Sequence, residues 1–267
     1  MPELPEVETY RRYFSLTSLN QTVKEVEILD ATILRRPNLE DFVKKIKCST
    51  FIKTTRIGKY LFVHLYPRGV LLLHFGMTGD IRYNRREELP NLAPIITRHD
   101  RIRFYFDSNG VLSIISQRKF ARIEWWPSVQ DCINIRKLGK DALEIELNEF
   151  IEVIQSSTRA IKAILLDQHR ISGLGNLYAD ELLFQTQISP LSSGNQLFTS
   201  QIEKLWKKMR KILKIAVDLA ADYGKFPENF FLFSRKIEGV CPRCNTKLEK
   251  TIIGQRTTIF CPKCQHR

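Results

Sequence analysis

The chain has 267 residues, 43% of them hydrophobic, so it is long and apolar enough to bury a substantial core, which excludes an intrinsically disordered protein. Its net charge of +13 favours a polyanionic partner, nucleic acid before a membrane surface, because no apolar run is long enough to span a bilayer. The first twenty residues are charged throughout, so we expect no signal peptide.

The chain opens with Met1-Pro2-Glu3-Leu4-Pro5-Glu6, which combines a terminus with two carboxylates. An initiator Met before a small Pro is normally trimmed, and its removal leaves Pro2 as a secondary amine beside Glu3. Because a terminal amine titrates near ~8, an appreciable fraction is unprotonated at neutral pH and ready to attack a sugar or carbonyl carbon. The alternative is that the two prolines only delay a helix beginning near Glu6, with both carboxylates favouring its positive end.

Helical spacing after these residues gives way to a strand-like pattern over residues 22–83. Inside that pattern, residues 39–46 predict a short helix that Asn38 can cap. Apolar runs on either side of turn residues predict two β-hairpins, over residues 61–75 and 101–115. We therefore expect an antiparallel β-sandwich, or a barrel, that carries one N-terminal helix.

Three turns in this half contain candidate functional side chains. Lys59 follows Gly58 between two predicted strands, although a loop Lys is usually only solvated. Met77 lies between two glycines, where a core residue would be held poorly and an exposed thioether could wedge between bases. Arg118 and Phe120 lie in a third turn of similar character. The alternative for the second and third turns is ordinary strand-end packing.

The strand pattern ends before residues 132–141, which predict a linker or a short transition. Beyond it the apolar period is helical, over residues 149–155, which Asn148 can cap, and over residues 160–168. A turn with two glycines follows, and Asn176 begins the next predicted helix. The N–H groups at such a helix start favour phosphate, whereas the alternative is a tight helical hairpin whose Asn only caps.

Residues 201–221 predict the most regular helix in the chain, with one apolar stripe and one basic face. The basic face comprises Lys204, Lys207, Lys208, Arg210, Lys211 and Lys214. Such a face is usually only solvated, but here it adds to the electrostatic footprint expected for binding a phosphate backbone.

Two Cys-x-x-Cys pairs near the C-terminus are the most specific signal in the sequence. They are Cys241 with Cys244 and, after sixteen further residues, Cys261 with Cys264. This spacing predicts a zinc ribbon in a reducing cytosol, with four thiolates around one structural Zn²⁺ and no ligand position left for chemistry. A predicted hairpin between the two pairs carries Arg256 at its tip.

Five short motifs are spread along the chain: Pro2-Glu3-Leu4-Pro5-Glu6-Val7-Glu8, Gly58-Lys59-Tyr60, His74-Phe75-Gly76-Met77-Thr78-Gly79, Gly173-Leu174-Gly175-Asn176 and Gln255-Arg256-Thr257-Thr258. With the four cysteines, their order resembles that of the formamidopyrimidine-DNA glycosylase and endonuclease VIII family. Each motif alone is weak, but the ordered set is specific. The start with Leu4 is closer to the formamidopyrimidine branch, because endonuclease VIII usually has Gly there.

The resemblance implies an α+β fold: an N-terminal helix plus an antiparallel β-sandwich, then a helical helix–two-turn–helix domain with a C-terminal zinc ribbon. We place the three domains at residues 1–130, 131–234 and 235–267. The resemblance also implies binding to double-stranded DNA that contains a damaged base or an abasic site. Nothing in the sequence suggests an obligate oligomer, so we expect a monomer. The expected location is cytoplasmic and nucleoid-associated, of the bacterial type.

For activity, the resemblance implies a bifunctional DNA glycosylase and abasic-site lyase of base-excision repair, which flips a damaged nucleotide out of the duplex. Pro2 matches the amine that attacks C1′ and forms a Schiff base, and Glu3 matches the carboxylate that transfers protons. Glu6 is a further candidate carboxylate. Lys59 matches the lysine that helps to bind the damaged nucleotide, and the strand is then cut by β,δ-elimination.

Six further residues match DNA-binding positions of the family. Met77, Arg118 and Phe120 match residues that fill the gap left by the flipped base. Lys162, Asn176 and Arg256 match residues that grip the surrounding phosphates.

Two departures from the family pattern leave other functions open. The family often has Asp-Pro-Arg-Arg-Phe-Gly where this chain has residues 116–121, Ser-Gln-Arg-Lys-Phe-Ala. Residues 222–233 form a shorter segment than the one that closes over 8-oxoguanine in well-known members. Oxidised pyrimidines, as in endonuclease VIII, are therefore an alternative substrate. Binding of damaged DNA without catalysis is an alternative function.

Overall fold

The computed structural model describes residues 1–85, 97–236 and 238–266. The chain forms two compact units. Unit 1 comprises Met1–Pro2 and Glu6–Arg136, and unit 2 comprises Glu3–Pro5 and Lys137–Arg267. None of the helices in the described ranges is both long and apolar enough to cross a membrane.

The first helix, α1, runs over Leu4–Ser18 and so begins two residues before the predicted start at Glu6. The early start is possible because the first turn of a helix needs no N–H partners, which makes Pro5 acceptable there. Val7 and Phe14, two helical turns apart, are fully buried in the core of unit 1. The helix therefore packs through one apolar face, as its spacing predicts.

The strands of unit 1 form two sheets. The strands are β1 (Val23–Ile28), β2 (Leu34–Arg36), β3 (Thr50–Ile57), β4 (Tyr60–Tyr66), β5 (Val70–His74), β6 (Gly79–Arg85), β7 (Asp100–Phe106), β8 (Gly110–Ser116) and β9 (Arg122–Trp126). One sheet has the order β1-β7-β8-β6 and the other the order β2-β9-β5-β4-β3. Both predicted hairpins are present, as β4–β5 and β7–β8. Neighbouring strands are antiparallel except β2 and β9, which are parallel.

The core of unit 1 lies between the two sheets. Ile102 and Phe104 of β7 and Leu61 and Val63 of β4 recur at every second position and bury their side chains in the same cluster. Because alternate side chains of a strand face opposite sides of its sheet, this pattern identifies the inner face of each sheet. The sandwich predicted from the sequence is therefore confirmed.

A second helix, α2, runs over Leu39–Ile46 with the predicted bounds. The side-chain oxygen of Asn38 accepts a hydrogen bond from the Asp41 backbone N–H at 2.9 Å, so the predicted cap is also present. Phe42 and Ile46 are its buried residues.

The predicted linker over residues 132–141 is wrong in its first half, because Val129–Arg136 forms a helix, α3. The Ser128 hydroxyl accepts a hydrogen bond from the Asp131 backbone N–H at 3.1 Å and caps the first turn. Cys132 is buried in a cluster with Phe62 and Trp126 on the outer face of the β4 sheet. The helix is thus stabilised by tertiary contacts that its weak apolar periodicity does not reveal.

Unit 2 is mainly helical. Its first elements are β10 (Lys140–Asp141), α4 (Leu147–Gln155), α5 (Ile161–Leu166), β11 (Ile171–Ser172) and α6 (Asn176–Thr186). The predicted cap Asn148 is wrong, because it lies inside α4, which Glu146 precedes as N-cap. The Glu149 carboxylate accepts a hydrogen bond from the Glu146 backbone N–H at 3.4 Å, which completes the helix start.

The long predicted helix is present as α7, over Thr199–Asp218. Its buried stripe comprises Ile202, Leu205, Met209, Ile212, Leu213, Ala216 and Val217. These residues belong to the core of unit 2 together with residues of α4 and α6. The Trp206 indole N–H donates to the Ile145 carbonyl at 2.9 Å and fixes the rotation of the helix about its axis.

The predicted C-terminal hairpin consists of β12 (Glu249–Ile253) and β13 (Arg256–Phe260). Its turn places Gly254 and Gln255 at φ of 56° and 61°, a left-handed pair that suits a two-residue hairpin connection. Leu248 and Ile259 pack in a small core with Phe184 of α6, so the hairpin is anchored to the helical part of unit 2.

Candidate active site and nucleic-acid interface

The carboxylate of Glu3 lies at the N-terminal end of α6. Glu3 is only 4% exposed, and its carboxylate accepts hydrogen bonds from the backbone N–H groups of Gly175 at 2.6 Å, Leu177 at 2.9 Å and Tyr178 at 3.4 Å. The unpaired N–H groups and the positive end of the helix dipole stabilise a carboxylate at this point. The side chain next to Pro2 in the sequence is therefore held in one place by charge-assisted hydrogen bonds.

The glycine-containing turn before α6 makes room for Glu3. A Cβ atom at Gly175 would lie 2.3 Å from Cδ of Glu3, so any side chain there would displace the carboxylate. Gly173 has a φ of 117°, which other residues adopt only with strain, and its carbonyl accepts a hydrogen bond from the Leu4 N–H at 3.1 Å. The turn therefore does more than reverse the chain, because it binds the two residues that follow Pro2.

The other two predicted catalytic residues of the N-terminus are less buried. Pro2 and Glu6 are both partly exposed. Glu6 lies in the first turn of α1, where its charge also favours the helix. A helix-stabilising position does not exclude a role in proton transfer, since Glu6 remains partly exposed.

Lys59 lies in the tight turn between β3 and β4, where Gly58 has a φ of 55°. Its side chain is only 6% exposed, so the alternative of a solvated loop Lys is wrong. The Arg56 guanidinium donates to the Gly58 carbonyl at 3.1 Å and pairs with the Glu8 carboxylate at 3.3 Å. The turn that presents Lys59 is thus braced by an ion pair to α1.

The carboxylate of Glu8, a residue of α1, forms ion pairs with three guanidinium groups. Besides Arg56, it pairs with Arg11 at 2.7 Å and with Arg12 at 3.1 Å. Burial alone would raise the pKa of Glu8, but the hydrogen bonds and charges of Arg11 and Arg56 hold it below its ordinary value. The carboxylate therefore stays ionised under mildly acidic conditions, and its ion pair with Arg56, which supports the Lys59 turn, persists.

Met77, Arg118 and Phe120 share one surface of unit 1, which we call the exposed loop surface. Met77 is 41% and Phe120 49% exposed, so the alternative of strand-end packing is wrong for both. The Arg118 guanidinium lies 5.1 Å from the Phe120 ring centroid, and its backbone N–H donates to the Thr78 hydroxyl at 3.2 Å. A Cβ atom at Gly76 would lie 2.2 Å from the Phe120 carbonyl oxygen, so the two loops touch through their backbones.

Partly buried polar groups hold the base of the exposed loop surface. The Gly76 backbone N–H donates to Nδ1 of His74 at 3.3 Å, and the Tyr10 hydroxyl donates to the Gly79 carbonyl at 3.2 Å. Burial, and then the charge of Arg122 and other nearby cations, lower the pKa of His74 to about 4. The imidazole is therefore neutral at neutral pH, and its Nδ1 can accept the loop hydrogen bond.

The second loop has an additional tie through Lys119. The Lys119 ammonium pairs with the Asp30 carboxylate at 2.8 Å, and that hydrogen bond keeps the pKa of Asp30 well below its usual range. Arg101 lies 3.6 Å from the same carboxylate and donates to the Ser116 carbonyl at 2.9 Å. The loop that departs from the family pattern is therefore held at its first residue, Ser116, and again at Lys119.

Lys162, Asp180 and Arg235 form a buried ion-pair group, which we call the interior cluster. Lys162 is 0% exposed, and its ammonium lies 2.6 Å from Asp180 and donates to the Thr258 hydroxyl at 2.8 Å and to the Thr257 carbonyl at 3.2 Å. Arg235 pairs with the other oxygen of Asp180 at 2.7 Å. Burial lowers the pKa of Lys162, which the Asp180 charge opposes. Two hydrogen bonds and the Asp180 ion pair already surround the buried Lys162 ammonium, which favours an indirect effect on phosphate binding.

The carbonyl of Thr257 connects this cluster to the two other predicted phosphate ligands. It accepts hydrogen bonds from Asn176 Nδ2 at 2.9 Å and from Arg235 at 3.5 Å, besides the one from Lys162. Oδ1 of Asn176 is buried and has no hydrogen-bond partner among the described residues. Arg256 is exposed, one residue before Thr257, and its side chain has no hydrogen-bond or ion-pair partner within the described ranges.

Sequence reasoning missed Asp180, Arg235 and Glu181. The Glu181 carboxylate accepts hydrogen bonds from the Leu232 backbone N–H at 3.0 Å and from Gln185 at 2.8 Å. Burial raises the pKa of Glu181 to about 7. A signal was available, because Asp180 and Glu181 are adjacent acids inside an otherwise apolar helix, where unpaired carboxylates are costly.

The four predicted zinc ligands lie together. The sulfur atoms of Cys241, Cys244, Cys261 and Cys264 all lie within 4.8 Å of one another. Three sulfur pairs are separated by 3.8, 3.5 and 3.4 Å, and a tetrahedral Zn²⁺ with ~2.3 Å bonds requires about 3.8 Å. Backbone N–H groups of Arg243 and Cys264 donate to the Cys241 and Cys261 sulfurs, which suits thiolates. The donor set therefore fits one structural zinc ion.

Three family models match the chain in succession. The N-terminal domain of formamidopyrimidine-DNA glycosylase matches residues 1–123, its helix–two-turn–helix domain matches residues 138–227, and the zinc finger found in this glycosylase and in isoleucyl-tRNA synthetase matches residues 239–267. Formamidopyrimidine-DNA glycosylase of Prochlorococcus marinus is 33% identical over 299 residues, covering 99% of this chain and 100% of the relative. That of Pelotomaculum thermopropionicum is 32% identical and covers 99% of each chain.

Solved structures agree with these matches. The Lactococcus lactis Fpg protein, in a complex with DNA containing an abasic site, has a TM-score of 0.86 and 28% identity. A MutM protein in complex with DNA containing carbocyclic 8-oxo-G also has a TM-score of 0.86, with 29% identity. Each likeness covers 100% of both chains.

Three features define the class of protein: the sandwich with its N-terminal helix, the glycine turn that binds Glu3 and the four-cysteine ribbon. Together they are those of a helix–two-turn–helix zinc-ribbon protein of the DNA-repair type. Three successive family models and relatives above 30% identity over the whole chain then decide the family. The chain belongs to the formamidopyrimidine-DNA glycosylase family.

Proposed function

We propose that this protein is a bifunctional DNA glycosylase and abasic-site lyase that removes formamidopyrimidine-type oxidised purines from double-stranded DNA. The enzyme class follows from membership of the family. The substrate class is supported by similar solved proteins, whose DNA is described as containing an abasic site, Fapy-dG or 8-oxo-G. A monomer is consistent with those complexes.

The position of Glu3 is the observation that carries the proposal. A carboxylate held by three backbone N–H groups is covalently adjacent to the residue whose amine is the proposed nucleophile. Such rigid positioning suits a group that must transfer a proton at one defined point. A protein that only binds DNA has no need of a buried carboxylate fixed next to its N-terminus.

The proposed reaction begins after removal of Met1, with Pro2 as a secondary amine. Its nitrogen lone pair forms a bond to C1′ while the N-glycosidic bond breaks, and the base leaves with a proton for which Glu3 is the proposed carrier. Opening of the sugar gives a Schiff base. Successive β- and δ-eliminations then break the carbon–oxygen bonds to the 3′ and 5′ phosphates, which cuts the strand on both sides.

The remaining residues of unit 1 have proposed binding roles. Lys59, braced by Arg56, binds the damaged nucleotide and assists the chemistry. Glu6 is a second candidate for proton transfer. The exposed loop surface of Met77, Arg118 and Phe120 fills the space that the flipped nucleotide leaves, because exposed apolar side chains can replace lost base stacking.

In unit 2, Asn176 and Arg256 are the proposed direct phosphate ligands. For Lys162 we propose an indirect role, in which its ammonium fixes the Thr257 carbonyl and so the start of β13 next to Arg256. Zn²⁺ bound by the four cysteines supplies no chemistry and holds the hairpin that presents Arg256.

We also propose the three-part division into residues 1–130, 131–234 and 235–267, and a cytoplasmic, nucleoid-associated location. The family models begin and end within seven residues of the proposed boundaries and agree with three successive parts. The location is supported by the excess of basic residues and by the bacterial origin of the relatives.

The proposal is tested by borohydride trapping on duplexes that contain 8-oxoguanine, formamidopyrimidine, thymine glycol or an abasic site. Intact mass first verifies that the protein begins at Pro2. We expect a covalent adduct with the abasic and oxidised-purine duplexes, and loss of the Pro2 adduct in protein that retains Met1, because the Pro2 nitrogen is then an amide.

Two results would redirect the assignment. Cleavage of thymine glycol in preference to both purine lesions would support an endonuclease VIII-like substrate range. Absence of any adduct from correctly trimmed protein that still binds damaged duplexes would support DNA binding without catalysis.

A further inference from the structure

The excess charge of the chain is concentrated on helix α7. Its 20 residues contain five lysines and one arginine against two carboxylates, which gives it a net charge of +4 out of +13 for the whole chain. Arg210 donates to the Leu143 carbonyl and lies over the Trp206 ring, so it belongs to the packing of the helix. The remaining five are Lys204, Lys207, Lys208, Lys211 and Lys214, which we call the lysine stripe.

The lysine stripe lies on the face of α7 opposite the buried apolar residues. Lys204, Lys207, Lys211 and Lys214 are exposed, and Lys208 is half-exposed. A groove of about 370 Å³ lies among the first four lysines, together with Ser200 and Glu203. Glu203 is 3.9 Å from Lys207, and the ammonium groups of the other four have no ion-pair or hydrogen-bond partner among the described residues.

Helix stability does not account for this arrangement. Lys204 and Lys208, and likewise Lys207 and Lys211, are four residues apart, and each such like-charge pair destabilises a helix by about 0.2 to 0.5 kcal/mol. Cations also favour the C-terminal turn of a helix, whereas the last turn of α7 has none and Lys204 and Lys207 lie in its N-terminal half. The stripe therefore opposes local stability, and a bound polyanion would reverse that cost.

The dimensions fit a duplex backbone. Lys204 and Lys214 are ten residues apart, which corresponds to ~15 Å along the helix axis. A DNA duplex presents one phosphate charge per ~1.7 Å, so about nine phosphates occupy the same length. The stripe carries no exposed aromatic or large apolar side chain that would enter a membrane or stack on single-stranded bases, which favours a duplex over either.

We propose that the lysine stripe of α7 is a second DNA-binding surface, which contacts the backbone of duplex DNA without regard to sequence or damage. It includes neither Asn176 nor Arg256 nor any residue of the exposed loop surface, and it does not depend on the chemistry at Pro2. Its effect is to keep the enzyme on undamaged DNA through counterion release, a purely electrostatic contribution.

The test compares two charge-matched variants of the full-length, zinc-loaded protein. The stripe variant replaces Lys204, Lys208, Lys211 and Lys214 with Gln. The control variant replaces Lys24, Lys44, Lys47 and Lys137 with Gln, four exposed lysines that also have no ion-pair partner among the described residues. Gln and Lys have similar helix propensities, so the stripe variant is expected to fold. The control positions are all exposed, where substitutions change stability little, and thermal unfolding verifies both variants.

Binding to an undamaged 40-base-pair duplex is measured between 50 and 200 mM salt. The slope of log affinity against log salt should fall by about 0.9 for each lysine that contacts a phosphate, up to about 3.6 for all four. The control should lose less than half as much. Single-turnover excision from a short lesion duplex at saturating protein should stay within about twofold, which separates this surface from the proposed active site.

The proposal would be overturned if the slope fell no more in the stripe variant than in the control variant. Loss of net charge alone would then explain the weaker binding. Vesicles containing phosphatidylserine provide the second arm. Loss of vesicle binding in the stripe variant with an unchanged duplex slope would also overturn it and would assign the stripe to anionic lipid.

Discussion

The Glu3 site at the start of α6 and the exposed loop surface are built in contrasting ways. Glu3 is buried, and backbone donors surround its carboxylate. Met77 and Phe120 extend from loops whose backbones are tied down while their side chains face solvent. The difference matches the two tasks proposed for these residues, since proton transfer requires a fixed distance whereas replacing a flipped nucleotide requires an apolar surface that can adapt to either neighbouring base pair.

The contrast extends to what supports each region. Unit 2 uses the interior cluster, in which Lys162 and Asp180 are fully buried, and loss of one of these two leaves an uncompensated charge in the core. The loops of unit 1 are supported by hydrogen bonds with His74 and Tyr10 and by the ion pair of Lys119 with Asp30, whose Lys side chain is exposed. Substitutions should therefore damage stability in the first region and activity or pH response in the second.

The largest effect is expected for Lys162→Met in the interior cluster. Breaking a buried ion pair from one side typically costs about 3 to 5 kcal/mol, so the free energy of unfolding should fall by that amount. If Lys162 acts indirectly, the slope of log affinity against log salt for a lesion duplex should be unchanged. Arg256→Gln should show the reverse, with stability retained and the slope reduced by about 0.9. Equal slope losses in both variants would make Lys162 a direct phosphate ligand.

The next effect is expected for Gly175→Ala. The added methyl would lie 2.3 Å from Cδ of Glu3 and would push the carboxylate out of its site. A shift of about 1 Å at a reacting group can reduce the rate about 100-fold, and single-turnover excision should fall by this factor. Gly224→Ala is the control, because its methyl would approach only Asp222 Oδ1, at 3.3 Å. A normal rate in Gly175→Ala would show that the position of Glu3 is not critical.

The third effect concerns pH and His74. Its pKa is about 4 in the folded protein and about 6.5 when unfolded, so between these values the unfolded chain binds more protons. Stability should therefore decrease as pH falls from 6.5 to 4.5, by about 2 kcal/mol from this residue alone. Urea unfolding of His74→Asn, whose Oδ1 can replace Nδ1 as acceptor, should show a correspondingly weaker pH dependence. His169→Asn is the matched control, because His169 is exposed. Identical profiles for wild type and His74→Asn would contradict the buried neutral imidazole.

The smallest effect is expected for the double variant Met77→Ala and Phe120→Ala. Loss of both side chains should reduce excision about tenfold, because unstacking a base step costs a few kcal/mol that these residues offset in part. Stability should change by less than about 0.5 kcal/mol, because both side chains are exposed. Leu16→Ala with Ile135→Ala, two other exposed apolar residues of unit 1, should leave excision unchanged. If the double variant lost stability but kept its excision rate, Met77 and Phe120 would have a packing role instead.

Features encoded by short spacing were predictable from the sequence. Examples are the four cysteines, the Asn38 cap and both hairpins. Each depends on residues that lie close together in the sequence, so the local pattern was sufficient to predict it. Helix α3 was missed because burial of Cys132 against distant strands stabilises it. The cap of α4 was misplaced because Glu146 and Glu149 act where Asn148 was the better-known capping residue type.

The candidate site was less predictable in its supporting contacts. The residue types of the site followed from the motifs, but the surroundings of Lys162 depend on Thr257 and Thr258, more than 90 residues further along the chain. The same holds for Glu3, whose hydrogen-bond donors begin at Gly175. Spacing within a motif carries no information about such long-range partners, and only the folded chain brings them together.

Peptide mapping of the borohydride-reduced adduct tests the central claim most directly. Trypsin digestion and mass spectrometry of protein trapped on abasic-site DNA should find the sugar remnant on the N-terminal peptide, residues 2–11, attached to the Pro2 nitrogen. Attachment to Lys59 or to any other lysine would contradict the assignment of Pro2 as the nucleophile.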